Sequence, residues 1–143
     1  KILISVQRDI SHPLESLAET VGLSRNAVWR RLKSLEQRGY IDKKVALLNP
    51  QKLSSDLLVF IQVRTNEHDA AWHDQFAAAV KRVPQILSAH RMTGDLDYLI
   101  KARVKNMVEY DSVYQILTRQ VSLTDVSASF VMESLKDTTE LPL

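Results

Sequence analysis

A short segment with two glycines constrains the fold of this chain more than any other feature. Residues 17–41 read LAETVGLSRNAVWRRLKSLEQRGYI, and apolar side chains recur there at the spacing of two helices. Gly22 stands where the first helix must end, and a glycine accepts the positive φ that such an ending needs. Ser24 is a favourable N-cap for the second helix, which runs to Arg38 and stops at Gly39. Two helices joined by so tight a turn predict a helix-turn-helix unit.

The second of these helices has two different faces. Val28, Leu32 and Leu35 fall at i, i+4 and i+7 and form an apolar stripe that must face a core. The opposite side carries residue types that suit nucleic acid, because Arg can fork onto guanine, Asn and Gln onto adenine, and Lys neutralises phosphate. We therefore predict a DNA-contacting set that consists of Ser24, Arg25, Asn26, Trp29, Arg30, Arg31, Lys33, Ser34, Gln37, Lys43 and Lys44. An ordinary solvated helix face is the alternative, and Trp29 has two open roles, against the wing or near DNA.

The charge distribution favours a nucleic-acid partner. Residues 24–44 contain seven basic and two acidic side chains, a net charge of +5, whereas the chain of 143 residues carries only +2. A basic module on a mildly acidic remainder is the electrostatic footprint that DNA binding requires. A short wing hairpin is predicted by Ile41, Val45, Leu47 and Leu48, which are interrupted by charges and followed by Asn49-Pro50. With a first helix that ends near Arg8, a winged helix-turn-helix domain is predicted over residues 1–50.

The hydrophobic period changes after a polar linker at residues 51–56. Strand-like runs at 57–64, 86–92 and 98–104 are followed by a last one that carries Val126, Ala128, Phe130 and Met132. One helix ends before Pro84, and another begins at Asn106 and carries Met107 among others. The order βαββαβ over residues 57–143 predicts a ferredoxin-like sandwich, so that the whole chain is α+β. Leu58, Phe60 and Val131 make the second sheet face partly apolar, which favours self-association.

Composition excludes several other classes of protein. The absence of cysteine rules out disulfides, thiolate metal sites and cysteine nucleophiles, which fits a reducing compartment. No apolar run approaches the roughly 18 residues of a membrane span. Four scattered histidines and three glycines leave neither a metal site nor a phosphate loop. We therefore expect no enzyme, metal or cofactor, and the basic segment also argues against a pure protein-interaction module.

Three stretches, taken together, resemble the Lrp/AsnC family of bacterial and archaeal transcription regulators. They are residues 17–41, then MTGDLDYLIKARV at 92–104, and VSASFVMESLKDTTELPL at 126–143. The first stretch is generic to winged-helix regulators, but the glycine-aspartate turn and the Thr-Thr-x-Leu-Pro-Leu ending make the combination specific. The family's N-terminal lead with an Asp-x-x-Asp motif is missing, and Lys1 already lies inside a predicted helix. We therefore expect further residues upstream of Lys1.

The resemblance implies a cytoplasmic, nucleoid-associated regulator that binds double-stranded DNA and responds to an amino acid, without a cofactor. It implies dimers that form through the second domain and assemble into rings such as octamers, with the effector between protomers of neighbouring dimers. The matching effector positions are Arg91, Met92, Thr93, Gly94, Asp95, Asp97 and Tyr98, with Ser127 and Ser129 as weaker candidates from a facing subunit. Backbone N–H groups at a glycine turn can hold a carboxylate, and an aspartate can pair with an α-ammonium. The alternatives are a Gly-Asp hairpin needed for geometry alone, and an architectural DNA-binding protein without an effector.

Overall fold

The computed structural model describes all 143 residues, which divide into two compact units. The helical unit contains residues 1–47 and 135–143, and the sheet unit contains residues 48–134. The sequence pattern had assigned residues 135–143 to the second domain, whereas the structure groups them with the first unit. The change of unit after Leu47 also comes earlier in the chain than the linker expected at residues 51–56.

The helical unit consists of α1 (Ile2–Arg8), α2 (Leu14–Val21) and α3 (Arg25–Gln37). Gly22 ends α2 at φ 70°, where the Leu23 N–H donates to the Ala18 carbonyl at 3.0 Å. The Ser24 hydroxyl caps α3 by accepting from the Ala27 N–H at 3.2 Å. The predicted helix boundaries are confirmed to within a residue. A small core joins the three helices through buried Ile2, Ala18, Val21, Val28 and Leu32.

The hairpin expected within the wing is the clearest difference from the sequence prediction. Residues 41–49 contain no paired strand, so no hairpin forms there. Val45 and Leu47 are 65% and 73% exposed, so their side chains do not pack in a core. Residues 41–49 also lack a glycine, which a two-residue hairpin turn usually requires for its positive φ angles. Lys44 instead pairs with Glu36 at the end of α3.

The sheet unit follows the predicted βαββαβ order. After a 3-10 turn at Gln51–Leu53, its elements are β1 (Leu57–Arg64), α4 (Ala70–Arg82), β2 (Ile86–Arg91), β3 (Tyr98–Val104), α5 (Met107–Gln120) and β4 (Asp125–Phe130). The strands pair antiparallel in the order β2-β3-β1-β4. The α+β class with a ferredoxin-like second domain is thereby confirmed. One detail differs, because Met132 lies beyond β4 and is 97% exposed.

Both helices of the sheet unit pack on one face of its sheet. Alternate residues of β1 and β3 are fully buried there, including Val59, Ile61 and Ile100. Trp72 of α4 lies in this core, and its indole N–H donates to the Ser122 carbonyl at 2.8 Å. On the other face Phe60 and Val131 remain half-buried. None of the helices has the length and apolar content that crossing a bilayer requires.

Candidate nucleic-acid interface and ligand site

Helix α3 presents a continuous basic face to solvent. Val28 and Leu32 are buried on its inner side, so the residues opposite to them cannot contribute to the core. All eleven members of the DNA-contacting set are exposed: Ser24, Arg25, Asn26, Trp29, Arg30, Arg31, Lys33, Ser34, Gln37, Lys43 and Lys44. An exposed basic helix that follows a tight turn has the geometry of a recognition helix.

Only some of these basic side chains have partners within the chain. Arg25 Nε lies 2.8 Å from Glu15 Oε1, and Lys44 pairs with Glu36. These ion pairs are exposed, so each contributes little to stability and can be exchanged for a phosphate. The charged groups of Arg30, Arg31 and Lys43 have no ion pair. These three side chains can therefore bind phosphates without first breaking an ion pair.

Trp29 lies against Lys33 and not against a wing. The Lys33 ammonium is 5.0 Å from the centre of the indole ring, a cation–π geometry, and Trp29 stays 51% exposed. Trp29, Lys33 and Lys44 also border a groove of about 680 Å³ that all three helices line. Nothing in the residue pattern of the sequence had indicated this groove.

The glycine-aspartate turn joins β2 to β3 in the sheet unit. Gly94 adopts φ 94°, a conformation that other residues rarely take, so the turn depends on glycine. The Met92 N–H donates to the Asp97 carbonyl at 2.9 Å and closes the turn. The structure brings five predicted residues together as one exposed segment: Arg91, Met92, Thr93, Gly94 and Asp95.

Asp97 and Tyr98 differ from those five because their side chains have structural partners. Asp97 Oδ2 accepts the Thr65 N–H at 2.8 Å. Tyr98 is 8% exposed, and its ring centre lies 4.6 Å from that of Phe76 and 5.7 Å from that of Trp72. The alternative of a purely geometric role therefore suits Asp97, whereas the carboxylate of Asp95 is exposed and makes no ion pair.

Sequence reasoning missed the residues that hold this turn in place. Arg64, at the end of β1, donates from Nε to the Asp95 carbonyl at 3.0 Å. It also reaches Asp125 Oδ2 at 3.5 Å. Thr65, the partner of Asp97, is 4% exposed. A strand-terminal arginine gives no signal of this role, because the role follows from the pairing of β1 with β3.

Ser127 and Ser129 occupy a different part of the sheet unit. They lie on β4 opposite Gln62 and Phe60, on the sheet face that the helices leave open. Ser127 Oγ is 3.5 Å from Gln62 Oε1, and neither serine contacts the Gly94 turn within one chain. No cluster of His, Asp or Glu side chains in the structure has the arrangement of a metal site.

A helix-turn-helix with a free basic face, followed by an antiparallel sheet domain that bears an exposed polar turn, defines a two-domain DNA-binding regulator. Comparison with known proteins agrees with that class. Residues 1–42 match the model of a winged helix-turn-helix DNA-binding domain, and residues 58–141 match that of the Lrp/AsnC ligand binding domain. The chain belongs to the Lrp/AsnC family of transcriptional regulators, as its sequence motifs predicted.

Relatives match over nearly their whole length. The chain is 45% identical over 143 residues to the glutamate uptake regulatory protein of Zymomonas mobilis, covering 100% of this chain and 87% of the relative. It is 40% identical over 144 residues to the DNA-binding transcriptional activator DecR of Escherichia coli, covering 100% and 95%. A transcriptional regulator of Neisseria meningitidis, solved in complex with L-methionine, superposes with a TM-score of 0.93 at 34% identity, covering 99% and 92%.

Proposed function

We propose that this regulator changes its DNA binding in response to an amino acid held at the Gly94 turn. The observation that carries the proposal is the pair of opposite charges exposed there without ion partners, the Arg91 guanidinium and the Asp95 carboxylate. A zwitterionic α-amino acid needs one group of each sign, and the backbone N–H groups of a glycine turn add donors for its carboxylate. The L-methionine complex of the Neisseria meningitidis relative supports the same class of ligand.

The residues of the effector set then divide by role. Arg91, Met92, Thr93, Gly94 and Asp95 form the surface that meets the ligand, because they are exposed along one turn. Asp97 and Tyr98 maintain the shape of that surface through Thr65 and the aromatic core. Ser127 and Ser129 contribute from a facing subunit, since their open sheet face is where a second copy would lie.

On the DNA side, α3 enters the major groove with Asn26, Arg30 and Gln37 towards the base edges. The flanking cations Arg25, Arg31, Lys33, Lys43 and Lys44 neutralise phosphates, and Ser24, Trp29 and Ser34 line the contact. The +5 charge of residues 24–44 supports this assignment.

Self-association completes the proposed function. Phe60 and Val131 are half-buried on the open sheet face, which a second copy would cover, whereas Leu58 is already 7% exposed and adds little. Dimers of this kind read two half-sites related by the twofold axis of the protein, and they assemble into rings such as octamers. The regulator would then act in the cytoplasm, bound to the nucleoid.

The test is a thermal-shift screen of the purified chain against the twenty amino acids. A ligand that binds only the native state stabilises it by about 2.7 kcal/mol at a hundredfold excess over its Kd. We expect a selective rise in melting temperature for one or a few amino acids, which Asp95→Ala abolishes. Asp56→Ala is the matched control, because Asp56 is also exposed but lies outside the turn. If no amino acid shifts the melting temperature, the effector proposal fails and an architectural DNA-binding role replaces it.

A further inference from the structure

The C-terminal segment of the chain docks on the first helix. The amide of Gln7 donates to the Leu141 carbonyl at 3.0 Å and accepts the Leu141 N–H at 2.9 Å. At the next residue of α1, Arg8 Nε lies 3.0 Å from Glu140 Oε2. The two partners are more than a hundred residues apart in sequence, with separations of 134 and 132. These contacts explain why residues 135–143 belong to the helical unit.

The chemistry of this contact is that of backbone recognition. The Gln7 amide satisfies both backbone groups of one residue, as a neighbouring β-strand would, and the ion pair with Glu140 adds side-chain selectivity. The Thr138 hydroxyl accepts the Glu140 N–H at 3.1 Å and shapes the segment locally. Leu141 stays 67% exposed, so polar groups and not apolar burial hold the segment. Exposed contacts of this kind are individually weak, so docking is reversible.

We propose that residues 138–141 form a clamp on α1 that gives the sheet unit a second connection to the DNA-binding unit. The chain passes from one unit to the other at residues 47–48 and again at 134–135. Helix α1 contributes a single buried residue, Ile2, to its core, so its position depends more on outside contacts than that of α2 or α3. Because the clamp follows β4, a ligand-dependent change in the sheet unit reaches α1 through it. The coupling rests on the proposed function, whereas the docking does not.

Cross-linking tests the docking. The chain has no cysteine, so Arg8→Cys with Glu140→Cys introduces the only two thiols while the Gln7–Leu141 bonds remain. We expect a short bismaleimide to join them within one chain, giving a product of monomer size on denaturing gels. Adding Gln7→Ala to this pair removes the two Gln7–Leu141 hydrogen bonds and should lower the yield several-fold. A yield that Gln7→Ala leaves unchanged, or a product of dimer size, would overturn docking within the chain.

Charge reversal tests the coupling. Arg8→Glu and Glu140→Arg each replace attraction by repulsion, and the double variant restores a pair of opposite charges. We expect each single variant to reduce the effector-induced change in DNA affinity by up to about fivefold, the factor that matches an exposed ion pair. The double variant should recover it, and Glu133→Arg is the control, since Glu133 is exposed and makes no ion pair.

The outcomes separate the two proposals. An unchanged effector response in both single variants overturns the coupling even if the cross-link forms. If no amino acid alters DNA affinity in the unmodified chain, the proposed function and the coupling fall together, and the cross-link still decides the docking by itself.

Discussion

Replacing Asp97 by alanine should destabilise the sheet unit, whereas the same change at Asp95 should not. Asp97 Oδ2 accepts the Thr65 N–H at 2.8 Å, and Thr65 is only 4% exposed. Asp97→Ala leaves that N–H without an acceptor in a place that water does not readily reach. Asp95 meets Arg64 with its backbone carbonyl alone, so removing its side chain breaks no hydrogen bond of the turn.

The size of the effect follows from the cost of a buried unpaired donor. That cost is about 1–3 kcal/mol. Since 1 kcal/mol shifts the melting temperature of a domain of this size by about 4–8 °C, Asp97→Ala should lower it by roughly 4 to 24 °C. Asp97→Asn retains a carbonyl acceptor and should recover most of the loss. Asp95→Ala should stay within about 0.5 kcal/mol of the unmodified chain, as surface substitutions usually do.

Tryptophan fluorescence can follow the sheet unit alone. The chain has two tryptophans, and Trp29→Phe leaves only Trp72, which is 4% exposed in the core of the sheet unit. Thermal melts of Asp97→Ala, Asp97→Asn and Asp95→Ala in that background compare the three changes directly. Equal melting temperatures for the two alanine variants would refute the division of roles between Asp95 and Asp97.

Three further predictions concern the helices and the DNA-binding face. Ser24→Ala should cost about 1 kcal/mol of stability by removing the N-cap of α3, whereas Ser24→Gly should cost only a few tenths of a kcal/mol. Urea denaturation measures both costs, and equal costs would contradict a capping role. Arg30→Ala should weaken binding to the specific site by about 1–3 kcal/mol, whereas Lys43→Ala should weaken binding to all duplexes alike and reduce the slope of log affinity against log salt by about 1. Anisotropy titrations with specific and random DNA distinguish the two effects. Unchanged operator affinity would remove Arg30 from the reading face. The Lys105 N–H lowers the pKa of Glu109 below its ordinary value of 4.5, so the stability it contributes is present above pH 4.5 and lost as the pH falls through the lowered pKa. Glu109→Gln should flatten this acid limb of the stability profile, and an unaltered profile would exclude the contribution.

Local interactions explain why the helices were predictable from the sequence. The ends of the helices depend on residues that act within one turn of their own position, through a positive φ at Gly22 and Gly39 or a cap at Ser24. The sequence alone therefore locates both ends of α3. The alternation of β3 is equally local, since successive side chains point to opposite faces of any strand. The hairpin predicted for the wing is absent for the complementary reason. A hairpin needs a turn and a partner strand, and the apolar pattern of residues 41–49 specifies neither.

The candidate ligand site was predictable in position but not in the roles of its residues. The Gly-Asp motif located the turn, yet sequence could not distinguish Asp95 from Asp97, because the difference lies in a hydrogen bond to Thr65 across 32 residues. Arg64 reaches the turn across 31 residues, and that contact exists only once β1 has paired with β3.

The C-terminal segment could not be placed from sequence for the same reason, and its contacts join the residues that are farthest apart in the chain. Because the segment follows β4, the sequence analysis assigned it to the second domain. In the structure Gln7 and Arg8 hold it on α1, although these partners are more than 130 residues apart in sequence. Residue patterns therefore determined the elements, their order and the family, because these depend on backbone preferences and periodic burial over a few residues. Tertiary structure alone decided which exposed charges are paired, what holds the turn and where the chain's end docks. Those features depend on contacts between residues whose separation in sequence carries no information about their distance in space.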